Sequence, residues 1–234
     1  MKRSLLLAIT AFALSSFASA QIDFDKRASD VGLLQAKEIQ TAVGITAAQR
    51  TKMNAAAEAH RKRLEDYQKQ LQALGTMTPD KTRLLGFFET LKKDVFAALT
   101  PPQIKRLREL TLQRLGMVSL TDPQVAKKVG LSDAQVAKLK TAFEKGRTKF
   151  VTLQQATANP ILAPYKNRKP KDQAEATSLR AEVEGKLKAA SIRIKPQLEA
   201  IGKETDASML AVMTPAQKSA WTALKGQPFK AKSR

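Results

Sequence analysis

Few side chains in this sequence could do chemistry, and their spacing does not favour catalysis. His60 is the only histidine, and the chain contains no cysteine. A single imidazole without thiolates makes a poor metal site, and a Ser-His-Asp arrangement would depend on that same residue. The carboxylates of Glu58, Glu65 and Asp66 have the spacing of an ordinary charged helix face. We therefore expect no enzyme activity, no cofactor and no metal ion, and a structural role for His60.

A second pattern, a hydroxyl residue followed three positions later by glutamine, occurs four times. The hydroxyl can accept a hydrogen bond from an N–H in the first helical turn, and the glutamine can reach back to the N–H of the cap residue. Pro101 and Pro215 stand at the first helical position, where a missing N–H costs nothing. The pattern predicts four helix starts and structural roles for its members, which are Thr46 and Gln49, Thr100 and Gln103, Ser132 and Gln135, and Thr214 and Gln217.

The four copies are of two types that alternate along the chain. Thr46 and Ser132 follow the similar segments 43–45 (Val-Gly-Ile) and 129–131 (Val-Gly-Leu), whereas the other two copies follow Leu99 and Met213. A shift of 86 residues places the first copy of the Val-Gly segment on the second. The order predicts an internal duplication.

Apolar residues after each Val-Gly start recur at spacings of three and four, which is typical of one narrow face of a long helix. The predicted stripes are Met53, Ala57, His60, Leu64, Tyr67, Leu71 and Leu74 in the first copy, and Val136, Leu139, Phe143, Gly146, Phe150 and Leu153 in the second. No strand-like alternation and no glycine-rich nucleotide loop is found in the sequence. We predict an all-α fold in which each unit has a long first helix, a return helix and a short terminal helix.

Prolines predict interruptions in the second unit. Pro160, Pro164 and Pro170 make a helix through residues 159–171 unfavourable, because proline restricts the residue before it. Pro196 should kink or break the return helix predicted for about 172–212, since it lacks an N–H and crowds the preceding turn.

The N-terminus has the features of a secretory signal peptide. Lys2 and Arg3 precede an apolar stretch at residues 5–14, and residues 18–20 (Ala-Ser-Ala) form a small-x-small cleavage site. We expect residues 1–20 to be removed and the protein to reach the periplasm of a bacterial envelope. The remaining chain is predicted to comprise an extension (21–28), a first unit (29–118), a second unit (119–226) and a basic tail (227–234).

The chain is strongly basic, with 41 Lys and Arg against 21 Asp and Glu and a formal net charge of +20. Loss of Lys2 and Arg3 with the signal peptide lowers this charge to +18. For an exported protein such a charge favours acidic unfolded polypeptides, anionic lipid or cell-wall polymer as partners, and we expect no nucleic acid.

Basic clusters are the candidates for a client-binding surface, although any one of them can equally be a solvated helix face. In the loop at 159–171, an aromatic residue lies within the densest basic segment, and this loop is either a contact site or a disordered tip. The candidate residues are Arg61, Lys62, Arg63, Lys105, Arg106, Arg108, Tyr165, Lys166, Arg168 and Lys169.

The motifs resemble those of the Spy/CpxP family of periplasmic proteins. The segment 99–103 (Leu-Thr-Pro-Pro-Gln) matches the family's LTxxQ motif, and the segments at 45–49, 131–135 and 213–217 are near matches. Members carry two such motifs, one before a long helical hairpin and one before a short terminal helix, and this chain resembles two such units in tandem. The histidine-rich metal-binding features of some members are missing here.

The resemblance implies a hook-like or cradle-like helical protein that handles unfolded envelope proteins without ATP. Family cradles are typically dimers, so we expect a homodimer or an intramolecular pair of units. Two alternatives remain open, namely an adaptor that binds one specific envelope partner and a structural protein that coats anionic lipid or cell-wall polymer.

Overall fold

Helices account for all the regular secondary structure that the computed structural model describes, which covers residues 23–76 and 78–229. The predicted signal peptide and residues 230–234 of the predicted tail lie outside these ranges. Residues 23–27 are helical, and the described chain contains no strand, so the predicted all-α fold is confirmed. The α-helices that follow are α1 (Lys37–Val43), α2 (Ala47–Ala73), α3 (Lys81–Ala97), α4 (Pro101–Leu115), α5 (Pro123–Val129), α6 (Asp133–Leu162), α7 (Gln173–Ala211) and α8 (Pro215–Lys225). Short 3-10 helices are found at Val31–Gln35, Gly116–Thr121 and Ala163–Tyr165.

The chain divides into two compact units. Among the described residues, unit 1 comprises 23–76, 78–116 and 222–229, and unit 2 comprises 117–221. The first boundary differs by two residues from the predicted end of the first unit at 118. The C-terminal segment differs more, because residues 222–226 were predicted to belong to the second unit and 227–234 to a separate tail.

Unit 1 contains the helix pair α2 and α3. The start of α2 and the end of α3 pack against a buried apolar cluster. Met53, Val95 and Leu107 belong to this cluster, which also includes residues of α1 and of the first 3-10 helix. The two helices are antiparallel, since their contacts run in opposite chain order, from Arg83 with Gln70 through Phe88 with His60 to Ala98 with Gln49.

Two large apolar side chains of this helix pair are exposed. Leu74, predicted to lie on the packed stripe of α2, is 77% exposed, and Phe88 of α3 is 55% exposed. Leu74 follows the last residue of α2 and caps its C-terminal end, so the helix periodicity no longer directs its side chain. For Leu74 the predicted packing is wrong.

Unit 2 contains the second helix pair, α6 and α7, which are in contact. The two backbones approach closely at Gly146, where a Cβ atom would collide with the side chain of Thr205. Leu139 is fully buried on α6, and Ala190, Ile194 and Met209 are buried on α7. A residue without a side chain is therefore needed at position 146.

The prolines interrupt the second helix pair less than predicted. Helix α6 continues through Pro160 to Leu162, so the predicted break beginning at residue 159 is wrong by four residues. Helix α7 continues through Pro196 and is not broken there. Pro196 deprives the carbonyl of Ile192 of its helical donor, but Ile192 is 65% exposed, so water can solvate that carbonyl.

No helix in the two described ranges is long and apolar enough to cross a membrane.

Candidate functional site

The first two hydroxyl-glutamine motifs lie in unit 1, one at the start of α2 and the other just after the end of α3. Thr46 Oγ1 accepts from the N–H of Gln49 at 3.2 Å, and Gln49 Oε1 accepts from the N–H of Thr46 at 3.0 Å. At the second motif, the backbone N–H of Thr100 (2.9 Å) and its hydroxyl (3.1 Å) both donate to Gln103 Oε1. Helices α2 and α4 begin at the residues that follow the two caps.

The two glutamines also bind each other. Gln49 Nε2 donates to Gln103 Oε1 at 2.7 Å, and Gln103 Nε2 donates to Gln49 Oε1 at 3.0 Å. The second hydrogen of each amide ends on a carbonyl that terminates another helix, namely Ala98 O for Gln49 and Gly44 O for Gln103. Each glutamine thus caps the start of its own helix and the end of another. We call this arrangement the glutamine junction.

Unit 2 contains a glutamine junction with the same connections. Gln135 Nε2 donates to Gln217 Oε1 at 2.8 Å and to Val212 O, while Gln217 Nε2 donates to Gln135 Oε1 at 2.9 Å and to Gly130 O. The hydroxyls of Ser132 and Thr214 accept from the backbone N–H groups of their glutamines. The order of the motifs in the sequence did not predict that the two glutamines of each unit would form hydrogen bonds with each other.

Amide chemistry explains why glutamine is needed at these positions. A primary amide has two donor hydrogens and an oxygen with two lone pairs. In both junctions both hydrogens of each amide donate, and each oxygen accepts from a cap N–H and from the partner amide, with the Thr100 hydroxyl as an additional donor to Gln103 Oε1. No donor remains for a ligand, so the junctions position helices.

The only histidine lies between the helices of unit 1. His60 is 7% exposed, and its ring centroid is 5.2 Å from that of Phe88. Two buried polar atoms of α2, His60 Nδ1 and Arg63 Nη1, have no hydrogen-bond partner within the described residues. The described residues also contain no group of three or more histidine, aspartate or glutamate side chains that could hold a metal.

The basic candidates on α2 differ in their surroundings. Arg61 is exposed and pairs with Glu58 at 2.5 Å and with Glu65 at 3.4 Å. Hydrogen bonding and charge from Glu58 raise the pKa of Arg61, and the same contacts lower the pKa of Glu58. Lys62 is exposed and Arg63 is half-buried.

Arg108 on α4 does not belong to the surface, which corrects its nomination as a client-binding residue. It is 3% exposed, and its Nε donates to Asp25 Oδ1 at 3.0 Å. Asp25 lies 83 positions away from Arg108 in the chain, so the sequence did not link this carboxylate to α4. Of the other two candidates, Lys105 is exposed and Arg106 is half-buried against Glu109 at 2.9 Å.

The remaining candidates lie at the turn of the second helix pair. The Tyr165 hydroxyl donates to Glu182 Oε1 at 2.6 Å and accepts from Lys186 Nζ at 2.7 Å. The hydrogen bond to Glu182 raises the pKa of Lys186 to about 12, and hydrogen bonds from Lys186 and Tyr165 lower the pKa of Glu182. Tyr165 therefore connects the turn to α7.

The basic residues of this turn stay at the surface. Lys166, Arg168 and Lys169 are exposed, and Arg168 reaches Glu175 at 3.3 Å. The segment includes the 3-10 helix Ala163–Tyr165, so residues 163–165 are ordered structure and not the predicted loop.

Helix α3 has an exposed apolar feature that was not predicted from the sequence. Leu85 is 64% exposed and Phe88 is 55% exposed, and they are three residues apart on one side of the helix. Lys81 lies one turn before them on that side and is also exposed. We call these three residues the α3 face. The spacing of Leu85 and Phe88 was available in the sequence, but a spacing of three also fits a buried stripe.

No protein-family model, curated protein or solved structure matches this chain.

Proposed function

We propose that this protein is a periplasmic, ATP-independent chaperone or envelope-stress protein, built from two LTxxQ-type helical units and similar to the Spy/CpxP family. The equal connections of the two glutamine junctions support an origin of the units by duplication. Its partners would be unfolded or acidic envelope proteins. The function needs no bound metal or cofactor.

The observation that carries this proposal is the α3 face. An unfolded protein exposes apolar side chains, and Leu85 and Phe88 provide an exposed apolar surface for them. Lys81 beside them adds positive charge, which attracts acidic segments before contact and speeds association. Two apolar side chains give weak binding, which suits a chaperone that must release its clients without an energy source.

The test is suppression of aggregation of a chemically unfolded acidic protein, followed by light scattering without nucleotide. We expect suppression at equimolar mature protein and at physiological salt. The double variant Leu85→Ser/Phe88→Ser should need at least about fivefold more protein for the same effect. Ile192→Ser is the matched control, because Ile192 on α7 is as exposed as Leu85 but stands alone.

Other outcomes would favour the alternatives. If the wild-type protein does not suppress aggregation, the chaperone proposal is wrong, and one saturable envelope partner would identify an adaptor. Binding to anionic lipid or cell-wall polymer that disappears at moderate salt would identify a structural protein, since exposed charges are screened over about 8 Å at physiological ionic strength. Circular dichroism of each variant would show whether its helices remain intact.

A further inference from the structure

The last four described residues, 226–229, leave helix α8 and run along α4 within unit 1. They are not helical, and we call them the strap. Arg106 Nη1 and Gln113 Nε2 both donate to the carbonyl of Gln227 at 2.8 Å, and Gln113 Oε1 accepts from the N–H of Phe229 at 2.9 Å. Helix α4 therefore holds a non-helical segment, which bends at Gln227, by three hydrogen bonds.

These hydrogen bonds end on main-chain atoms of the strap. Two more end on carbonyls of the last turn of α8, since Gln113 Nε2 also donates to Lys225 O at 2.7 Å and Arg108 Nη1 donates to Leu224 O. Main-chain atoms are the same in any peptide, so contacts of this kind give affinity without reading a sequence. Arg106 and Gln113 would accept other non-helical segments equally well.

One side chain of the strap makes an apolar contact with unit 1. Phe229 is half-buried and packs against the apolar cluster that contains Leu107 and Leu110. This surface of α4 thus combines polar groups for a peptide backbone with an apolar contact two residues beyond the Gln227 carbonyl. That combination selects non-helical segments carrying a large apolar residue, and aromatic residues best of all.

The strap is a weakly held occupant. Gln227 and Pro228 are exposed, and only Phe229 contributes to the apolar cluster. Segments with few buried contacts and exposed hydrogen bonds open at low free-energy cost. Glycine is needed at position 226, where the strap leaves α8, because the φ of Gly226 is +64° and a Cβ atom there would collide with the carboxylate of Glu109.

We propose that this surface of α4 is a binding site for non-helical peptide segments with an aromatic residue, and that the strap occupies it as a competitor within the same molecule. Its residues differ from those of the α3 face, so the inference does not depend on the proposed function. A tethered competitor acts at an effective concentration in the millimolar range, so free peptide would bind only when the strap is released.

The test uses the full-length chain and a fluorescein-labelled peptide with the sequence of residues 225–234, with binding followed by fluorescence anisotropy. We expect Phe229→Ala to bind this peptide at least about tenfold more tightly than the wild-type chain does. A second release variant, Gly226→Ala, should behave in the same way. Phe150→Ala is the matched control, since it removes a half-exposed phenylalanine from unit 2 and should leave peptide binding at the wild-type level.

Two further measurements make the result decisive. The double variant Gln113→Ala/Phe229→Ala should lose the gain in binding, and a peptide with alanine in place of its phenylalanine should not bind. Hydrogen exchange of the strap amides would report release in each variant. The proposal is overturned if released variants bind the peptide no better than wild type, and also if the strap stays protected in both variants, since a competitor must come off.

Discussion

The two units have the same glutamine junction but different helix pairs. In unit 1, helix α2 brings His60 against Phe88, whereas at the aligned position of unit 2 Gly146 lets α6 approach Thr205 closely. The pairs also differ in length, since α3 has 17 residues and α7 has 39. The junction is therefore the part that the two units share, and the helix pair that extends from it differs in length and packing.

The largest expected effect concerns an interaction described above for unit 1, the ion pair of Arg108 with Asp25. Arg108→Met should lower the free energy of unfolding by about 3–5 kcal/mol, because it leaves a buried carboxylate without its guanidinium partner. Chemical denaturation measures the loss, and hydrogen exchange shows whether unit 1 is affected more than unit 2. Arg114→Met is the control, since its pair with Asp30 is exposed and should contribute less than about 1 kcal/mol.

The next effect tests the equivalence of the two junctions. Gln49→Ala and Gln135→Ala should each cost about 2 kcal/mol, because each removes the two bonds to the partner glutamine and uncaps a helix end. Both losses would be measured as changes in the denaturation midpoint. Gln154→Ala on the exposed surface of α6 should stay within about 0.5 kcal/mol. If only one of the two variants loses stability, the two junctions contribute differently to the free energy of unfolding although they have the same hydrogen bonds.

A smaller effect separates the two helix pairs by its sign. Gly146→Ala should destabilise by about 1–3 kcal/mol, because the new methyl group meets Thr205 and the helices must move apart. Gly86→Ala in α3 should stabilise by about 0.5–1 kcal/mol, since nothing lies within 4 Å and alanine favours the helix. Thermal denaturation of the two variants measures both changes, and a Gly146→Ala variant as stable as the wild-type protein, or more stable, would contradict the close approach in unit 2.

The smallest effect is a pH dependence at the turn of the second helix pair. The lowered pKa of Glu182 means that its interaction with Lys186 stabilises the fold above the ordinary carboxylate pKa and is lost as the pH falls through the folded value. The raised pKa of Lys186, about 12, means that its contribution is present at neutral pH and is lost as the pH rises through that value. Both groups are exposed, so the effect is small.

Glu182→Gln tests this pH dependence. The variant should melt slightly below the wild-type protein at pH 7, and the difference should disappear in strong acid, where the wild-type carboxylate is also protonated. Glu184→Gln is the control, because the contact of Glu184 with Arg180 is long, at 3.9 Å. A difference that persists in acid would assign the effect to something other than charge.

Much of the helical framework was accessible from the sequence, because capping is a local interaction. Helices α2, α4, α6 and α8 begin one residue after the cap residues that the hydroxyl-glutamine pattern marks. Asp172 and Val212, the predicted limits of the second return helix, flank α7. Where a helix starts depends on a few residues close together in the chain, and these can be identified from the sequence alone.

Contacts between distant residues were not accessible. The pairing of Gln49 with Gln103 joins positions 54 residues apart, and the ion pair of Arg108 with Asp25 joins positions 83 apart. The predicted basic surface was wrong at Arg108 because a charged residue on an amphipathic helix looks the same in sequence whether it meets solvent or a buried carboxylate. The strap was missed for a related reason, since its contacts involve main-chain atoms that carry no sequence signal.

Unit 1 is assembled from two separated stretches of the chain, and this affects its biosynthesis. Residue 25 emerges from the ribosome well before residues 224–229, and both bind α4. Unit 2 lies in one uninterrupted stretch between them and has all its partners by residue 221. Unit 1 is therefore completed after unit 2, so a nascent chain stalled just before residue 224 would have a finished unit 2 and a unit 1 that still lacks these contacts.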